Sequence, residues 1–250
     1  MTGVASEAVL LAALAFCRIG GCFLVLPGLS SARVPMQIRI LMAVAITVSL
    51  LSSIWPHLGI VSPREPLALL RYMVSETMIG LFIGLSVRLF LMSLGFMATA
   101  IGMSIGFGNL MGPGFEETEP QAALGTLLNM TALLILFLLD FHHAVVRSLT
   151  ASYSVMPVDG TFHAESMLIN LSQTLAESFM LVLRLGSPFL AYALVINVMI
   201  GVLNKLTPQI PIYFVSLPFV IFGGLILLYF GAPTLLSLFG QGFFDLRVIR

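Results

Sequence analysis

Apolar residues along this chain fall into six long runs, which short polar or proline-containing stretches separate. A helix that crosses a bilayer needs about 20 predominantly apolar residues, and each run reaches or approaches that length. The pattern therefore predicts an all-α protein with six hydrophobic helices, over residues 8–27, 37–55, 73–104, 123–146, 170–204 and 212–239.

The third and fifth runs are too long for one simple crossing, and both carry internal charges. Glu76 and Arg88 lie in the third run, whereas Glu177 and Arg184 lie in the fifth. A helix of this length can tilt, kink or extend beyond a bilayer. Pro188 further predicts a kink or a break in the fifth helix. The fourth and sixth runs predict simple single helices.

Composition supports an integral membrane protein. Of the 250 residues, 59% are hydrophobic and 9% are charged, against about 25% charged residues in an ordinary soluble domain. The formal net charge is zero, with no basic run. Nucleic acid binding, which needs clustered Lys and Arg to neutralise phosphates, therefore has no support.

Charged residues inside the apolar runs are candidate functional positions, because burying a charge in a membrane is costly. Arg18 lies in the middle of the first run. Asp140 and Arg147 lie two turns apart and share a face near the end of the fourth, so each is expected to need a partner on another helix. Glu177 and Arg184 also share a face. We expect them to form structural ion pairs with neighbouring chains rather than a proton path.

In the third run and just after it, Gly80 and Gly84 stand four residues apart, as do Gly102 and Gly106. Small residues at this spacing let two helices approach closely. The sequence therefore predicts a close helix contact here.

The sequence shows no zinc-protease HExxH motif and no evident Ser/His/Asp set, so we expect no enzyme, no metal and no cofactor. A proton-coupled small-solute transporter remains an alternative, in which Glu76, Asp140 and Glu177 would carry protons. Internal repeats, which many transporters show, are not apparent.

The stretch GFGNLMGPGFEETEPQ, residues 106–121, separates two apolar runs. Its four glycines allow changes of shape at low steric cost, and Pro113 and Pro120 limit the alternatives. Loops of this length are usually functional or disordered. The stretch is therefore either a functional loop or an ordinary connector.

Four stretches together resemble the FliR family, the R component of the flagellar type III export gate. They are FCRIGGCFLVLPGLSSARVPMQIRILMAVAIT (16–47), ETMIGLFIGL (76–85), the loop with LNMTALLILFLLDFHHAVVRSLTASYSVMPV (128–158), and NKLTPQIPIYFVSLPFVIFGG (204–224). Pro208 and Gln209, with Pro218 nine residues further on, add specificity. Pro211 departs from the family, which usually has asparagine at that position.

The resemblance implies one export-gate membrane domain, 1–250, that is similar to a fusion of its partners. Residues 1–165 would be P-like, including the loop 106–121, and residues 166–250 would form a Q-like helical hairpin. One R copy would join several P and Q subunits (FliP and FliQ), next to an FlhB-type subunit, in a helical assembly around a pore.

The same resemblance implies a multi-pass protein of the bacterial inner membrane, in the flagellar basal body. Much of the assembly would be raised above the membrane. Unfolded flagellar proteins would pass through the pore, and membrane lipid would be a further partner. The related subunit of virulence injectisomes shares this architecture, and the sequence does not separate the two systems.

By position, the resemblance makes 106–121 the loop that plugs the pore. The side chains expected to close the lumen are Phe107, Leu110, Met111, Pro113 and Phe115. The acidic residues expected to face water or a basic partner are Glu116, Glu117 and Glu119. The remaining polar and turn residues, expected to serve structure or subunit contacts, are Arg18, Arg33, Arg39, Glu76, Asp140, Arg147, Glu177, Arg184, Pro208 and Gln209.

Overall fold

A computed structural model describes residues 2–30, 34–57, 66–106, 120–158, 162 and 164–245. Every regular element among them is helical, which confirms the all-α prediction. The helices are α1 (Thr2–Val25), α2 (Met36–Ile54), α3 (Pro66–Ser104), α4 (Pro120–Leu138), α5 (Phe141–Val155), α6 (Ala164–Leu206) and α7 (Ile212–Phe244), with a 3₁₀ turn (Trp55–His57) after α2. Five of them are long and apolar enough to cross a membrane, or six if α4 and α5 form one broken span.

Prolines mark the start of four helices. Pro66 and Pro120 are the first residues of α3 and α4, and Pro35 and Pro211 directly precede α2 and α7. Proline suits this position because its φ is already helical and the helix start needs no N–H there. The Pro211 carbonyl accepts a bond from the Phe214 amide at 3.0 Å. The residue that departs from the FliR pattern therefore directly precedes α7, and its carbonyl accepts a hydrogen bond from the first turn of that helix.

The fourth predicted helix, 123–146, is wrong in one respect, because the chain breaks after Leu138. Asp140 has φ 58°, the left-handed conformation, and its amide bonds the Phe137 carbonyl three residues back at 3.1 Å. A left-handed residue just beyond the last turn is a common way to end a helix. Asp140 therefore does not share a helix face with Arg147, which lies on α5.

The helices α3 and α6 are longer than a bilayer requires. They have 39 and 43 residues, or roughly 58 and 65 Å at 1.5 Å per residue, against about 30 Å for the hydrocarbon core. The expected break at Pro188 does not occur, since α6 continues through it. The Ser187 hydroxyl donates to the Arg184 carbonyl at 2.8 Å, which compensates for the N–H that Pro188 lacks.

The chain divides into two compact units. Unit 1 comprises residues 1–90, 141–176 and 245–250, and unit 2 comprises residues 91–140 and 177–244. In unit 1, buried side chains recur on α1 every three or four residues, as expected for a helix packed on one face. The largest buried side chains of unit 1 are Arg18, Tyr153, Phe90, Leu14, Ile19 and Ile54.

Unit 2 packs around two adjacent glycines of α7. A Cβ at Gly223 would lie 2.6 Å from the Tyr192 hydroxyl, and one at Gly224 would overlap the Ile105 side chain. The Tyr192 hydroxyl donates to the Val220 carbonyl at 2.6 Å. The paired glycines thus let α3 and α6 both reach α7.

Candidate functional site

An ion pair lies at the centre of unit 1. Arg18 of α1 donates from Nε to Glu76 Oε2 at 2.6 Å and from Nη2 to Glu76 Oε1 at 2.8 Å. The two side chains are 0% and 2% exposed. Two parallel bonds between guanidinium and carboxylate form the strongest common ion-pair geometry in proteins. The pair joins α1 to α3 inside the apolar core.

The chain around α5 completes the site. Arg18 Nη1 donates to the Ser152 hydroxyl at 3.0 Å, and Nη2 donates to the Met156 carbonyl at 2.9 Å. The Arg18 Cζ atom lies 3.9 Å from the centre of the Tyr153 ring, within the range of a cation–π contact. The guanidinium is therefore held from three helices, α1, α3 and α5.

Close helix contact accompanies the ion pair, and it confirms the prediction from Gly80 and Gly84. A Cβ at Gly80 would overlap the Arg18 carbonyl, and one at Gly84 would lie 2.6 Å from the Cys22 carbonyl. Gly21 faces the Thr77 carbonyl across the same contact, also at 2.6 Å. With α1 and α3 this close, the Arg18 and Glu76 side chains can reach each other.

A second feature, in unit 2, lies where α3 leads into the predicted plug loop. Ile105 is fully buried and contacts Gly224 of α7. Gly106 has φ 87°, which only glycine adopts easily, and a Cβ there would contact Val220 at 3.4 Å. The chain is therefore fixed against α7 immediately before residue 107. The predicted plug residues lie outside the described residues: Phe107, Leu110, Met111, Pro113, Phe115, Glu116, Glu117 and Glu119.

Most of the other predicted polar residues that the structure describes lie at the surface. Asp140, Arg147, Glu177 and Arg184 are each exposed, and so are Pro208 and Gln209 in the turn between α6 and α7. Arg39 is half-buried in the first turns of α2. Arg33 lies outside the described residues.

The sequence singles out Arg18 and Glu76 but not the groups that complete their site. Ser152 and Tyr153 lie outside the predicted set. The Met156 carbonyl could not be predicted either, because every residue has a backbone carbonyl. One signal does point to this face of α5. Ser148 and Ser152, four residues apart, place small polar groups on its buried side.

Residues 9–246 match the family described as "Bacterial export proteins, family 1". The chain belongs to this family. Eight curated relatives match it, and each carries the name "Flagellar biosynthetic protein FliR". The relative from Caulobacter vibrioides is 29% identical over 88% of this chain and 87% of that protein. The relative from Aquifex aeolicus is 27% identical over 98% of this chain and 94% of that protein. The relative from Escherichia coli is 23% identical over 81% of this chain and 76% of that protein.

The match to the bacterial export proteins confirms the resemblance to the FliR family. It reaches each of the seven helices in the described part of the chain and draws on both compact units. The matched part of this export-family chain includes Arg18 and Glu76. It also includes Ile105 and Gly224, which contact each other. Both features therefore belong to the region on which the family assignment rests.

Proposed function

We propose that this chain is the R subunit of a flagellar type III export gate in the bacterial inner membrane. In this role it completes the wall of the export pore and closes the pore when no substrate passes. The observation that carries the proposal is the export-family match over residues 9–246, together with relatives named FliR. Those flagellar names also favour a flagellar gate over an injectisome.

Exposed apolar surface supports assembly with P and Q subunits. Within the spanning window of α3, 50% of residues are buried, but the figures for α6 and α7 are 22% and 11%. On α7 the exposed side chains include Phe214, Phe219 and Phe230. Lipid covers such a surface only within a bilayer's thickness, and α6 is roughly twice that length. Protein partners would cover the rest, in keeping with the proposed P-like part (1–165) and Q-like part (166–250).

The proposed plug is the segment 106–121. Its apolar residues would pack together and exclude water, and an apolar constriction blocks ions by dewetting. A polypeptide pushed from below could displace such a seal. The contacts of Ile105 and Gly106 with α7 would give the segment a fixed point of attachment.

The test is ion leak across the membrane of cells that carry the complete gate. One strain has residues 107–115 replaced by a glycine-serine linker of equal length, which removes the apolar side chains and keeps the connection. A matched strain carries Glu116→Gln, Glu117→Gln and Glu119→Gln, and it keeps the apolar side chains of residues 107–115. Co-purification of the P and Q subunits confirms that each variant assembles.

We expect the linker strain to leak ions and the glutamine strain to stay tight. A tight membrane and normal motility in an assembled linker strain would show that 106–121 is a connector and that partner subunits close the pore. If neither P nor Q co-purifies with the wild-type chain, the assignment to the export gate is itself wrong.

A further inference from the structure

Unit 1 contains a cavity of about 390 Å³ at the end of the α1–α2 hairpin where the two helices are connected. Its α1 side comes from residues 16–24, its α2 side from residues 36–43, and Thr77 of α3 completes it. The volume lies within the roughly 300–1,000 Å³ typical of ligand sites. Gly20 and Gly21 line it without contributing side chains, and a Cβ at Gly20 would have room, since it would meet only the Phe16 ring at 3.9 Å.

The wall is apolar inside and open to the surroundings. Phe23 and Ala43 are buried and form its inner part, whereas Leu24, Met36 and Ile40 are exposed and lie at its rim. An apolar cavity with an exposed apolar rim suits a hydrocarbon chain that enters from a membrane.

Among the residues that the structure describes, Arg39 is the one charged residue that lines the cavity. It lies near the start of α2, and its Nη2 donates to the Val34 carbonyl at 3.0 Å, which orients the guanidinium toward the connection between the helices. If α1 and α2 cross the membrane, helix ends lie near the lipid headgroups. The Arg39 guanidinium then lies where a lipid phosphate would be, and the apolar space lies where an acyl chain would be.

We propose that this cavity binds an anionic phospholipid, with an acyl chain in the apolar space and the phosphate at Arg39. Arginine is well suited to phosphate because its planar guanidinium presents several donors at once. The proposal requires the chain to lie in a membrane. It does not depend on the role of segment 106–121.

The test uses the full chain, captured from cell membranes with its associated subunits and placed in phosphatidylcholine nanodiscs. The nanodiscs contain a trace of phosphatidylglycerol with a photoreactive group on one acyl chain. After illumination, mass spectrometry of peptides locates the label. Unlabelled phosphatidylglycerol and phosphatidylcholine are then compared as competitors.

Four variants test the two halves of the site. Gly20→Leu fills the cavity, because a Cβ at Gly20 meets only the Phe16 ring, at 3.9 Å. Gly201→Leu is its matched control, on an exposed position of α6 where a Cβ meets nothing within 4 Å. Arg39→Gln removes the charge, and Arg184→Gln removes an exposed charge elsewhere.

We expect label on 16–24 and 36–43, and about fivefold better competition by phosphatidylglycerol, the effect of one basic residue near anionic lipid. Gly20→Leu should abolish labelling, Arg39→Gln should abolish the fivefold preference, and the two controls should change neither. The proposal is overturned if the label maps elsewhere, or if the two lipids compete equally in the wild type. It is also overturned if Gly20→Leu behaves like Gly201→Leu, or if Arg39→Gln behaves like Arg184→Gln. It is equally overturned if a photoreactive amino acid at Met36 captures a protein subunit instead of lipid.

Discussion

Arg18 and Glu76 illustrate how one buried residue can depend on another. Removing either partner leaves an uncompensated charge in the core, which costs about 3–5 kcal/mol. Replacing both with apolar residues of similar volume costs much less. We therefore expect Arg18→Met and Glu76→Met each to lower the folded fraction sharply. The double variant should lose far less stability than the two single variants lose together. Thermal unfolding of the complex in detergent would measure this.

The same variants separate a structural pair from a proton path. Arg184→Met, at an exposed position, serves as the control and should have little effect on stability. Losses that simply add in the double variant would show that Arg18 and Glu76 act independently. A stable Glu76→Met variant that loses solute uptake would support the transporter alternative.

Glycine spacing gives a second prediction at the residue scale. Gly80→Ala would place a methyl group against the Arg18 carbonyl, which belongs to the backbone and cannot rotate away. Overpacking of this kind costs about 1–3 kcal/mol. We expect a lower unfolding temperature for Gly80→Ala than for Gly20→Ala, whose methyl group has room. Equal unfolding temperatures would mean that the two helices can separate at little cost.

The sequence identified individual residues of this site better than it identified their partners. Arg18 and Glu76 stood out because a charge in an apolar run is rare. Their pairing could not be predicted, because they lie 58 residues apart and three helices bring the groups together. Gly80 and Gly84 were predictable because their contact depends on a local spacing.

At the scale of elements, hydropathy located the helices well and their ends less well. The run 123–146 stays apolar through the break at Asp140, so an apolar pattern alone predicts one helix. The break depends on backbone conformation, which aspartate tolerates in the left-handed region and most residues do not. Prolines at the helix starts, by contrast, are visible in the sequence.

Asp140 gives the prediction at this scale. A β-branched side chain fits poorly at φ 58°, and the left-handed conformation costs most L-residues about 1–2 kcal/mol. We expect Asp140→Gly and Asp140→Asn to unfold at or near the wild-type temperature, and Asp140→Val to unfold at a lower one. If Asp140→Val matches the wild type, α4 and α5 can join as one helix without loss of stability.

At the scale of the whole molecule, the exposed apolar surface of α6 and α7 predicts dependence on partners. The chain expressed without P and Q subunits should aggregate or be degraded, because much of its apolar surface would have no protein cover. Co-expression should restore a soluble complex in detergent. Size-exclusion chromatography of the two preparations would measure this. A monodisperse, stable monomer from the chain alone would contradict it.

The ion pair also constrains how the chain enters the membrane during synthesis. Arg18 leaves the ribosome 58 residues before Glu76 and 134 residues before Ser152. A lone arginine at the centre of an inserting helix costs about 2.5–3.5 kcal/mol, and that cost persists until its carboxylate partner arrives. We therefore expect α1 to complete its insertion only when α3 emerges, so that the first and third helices enter the bilayer together.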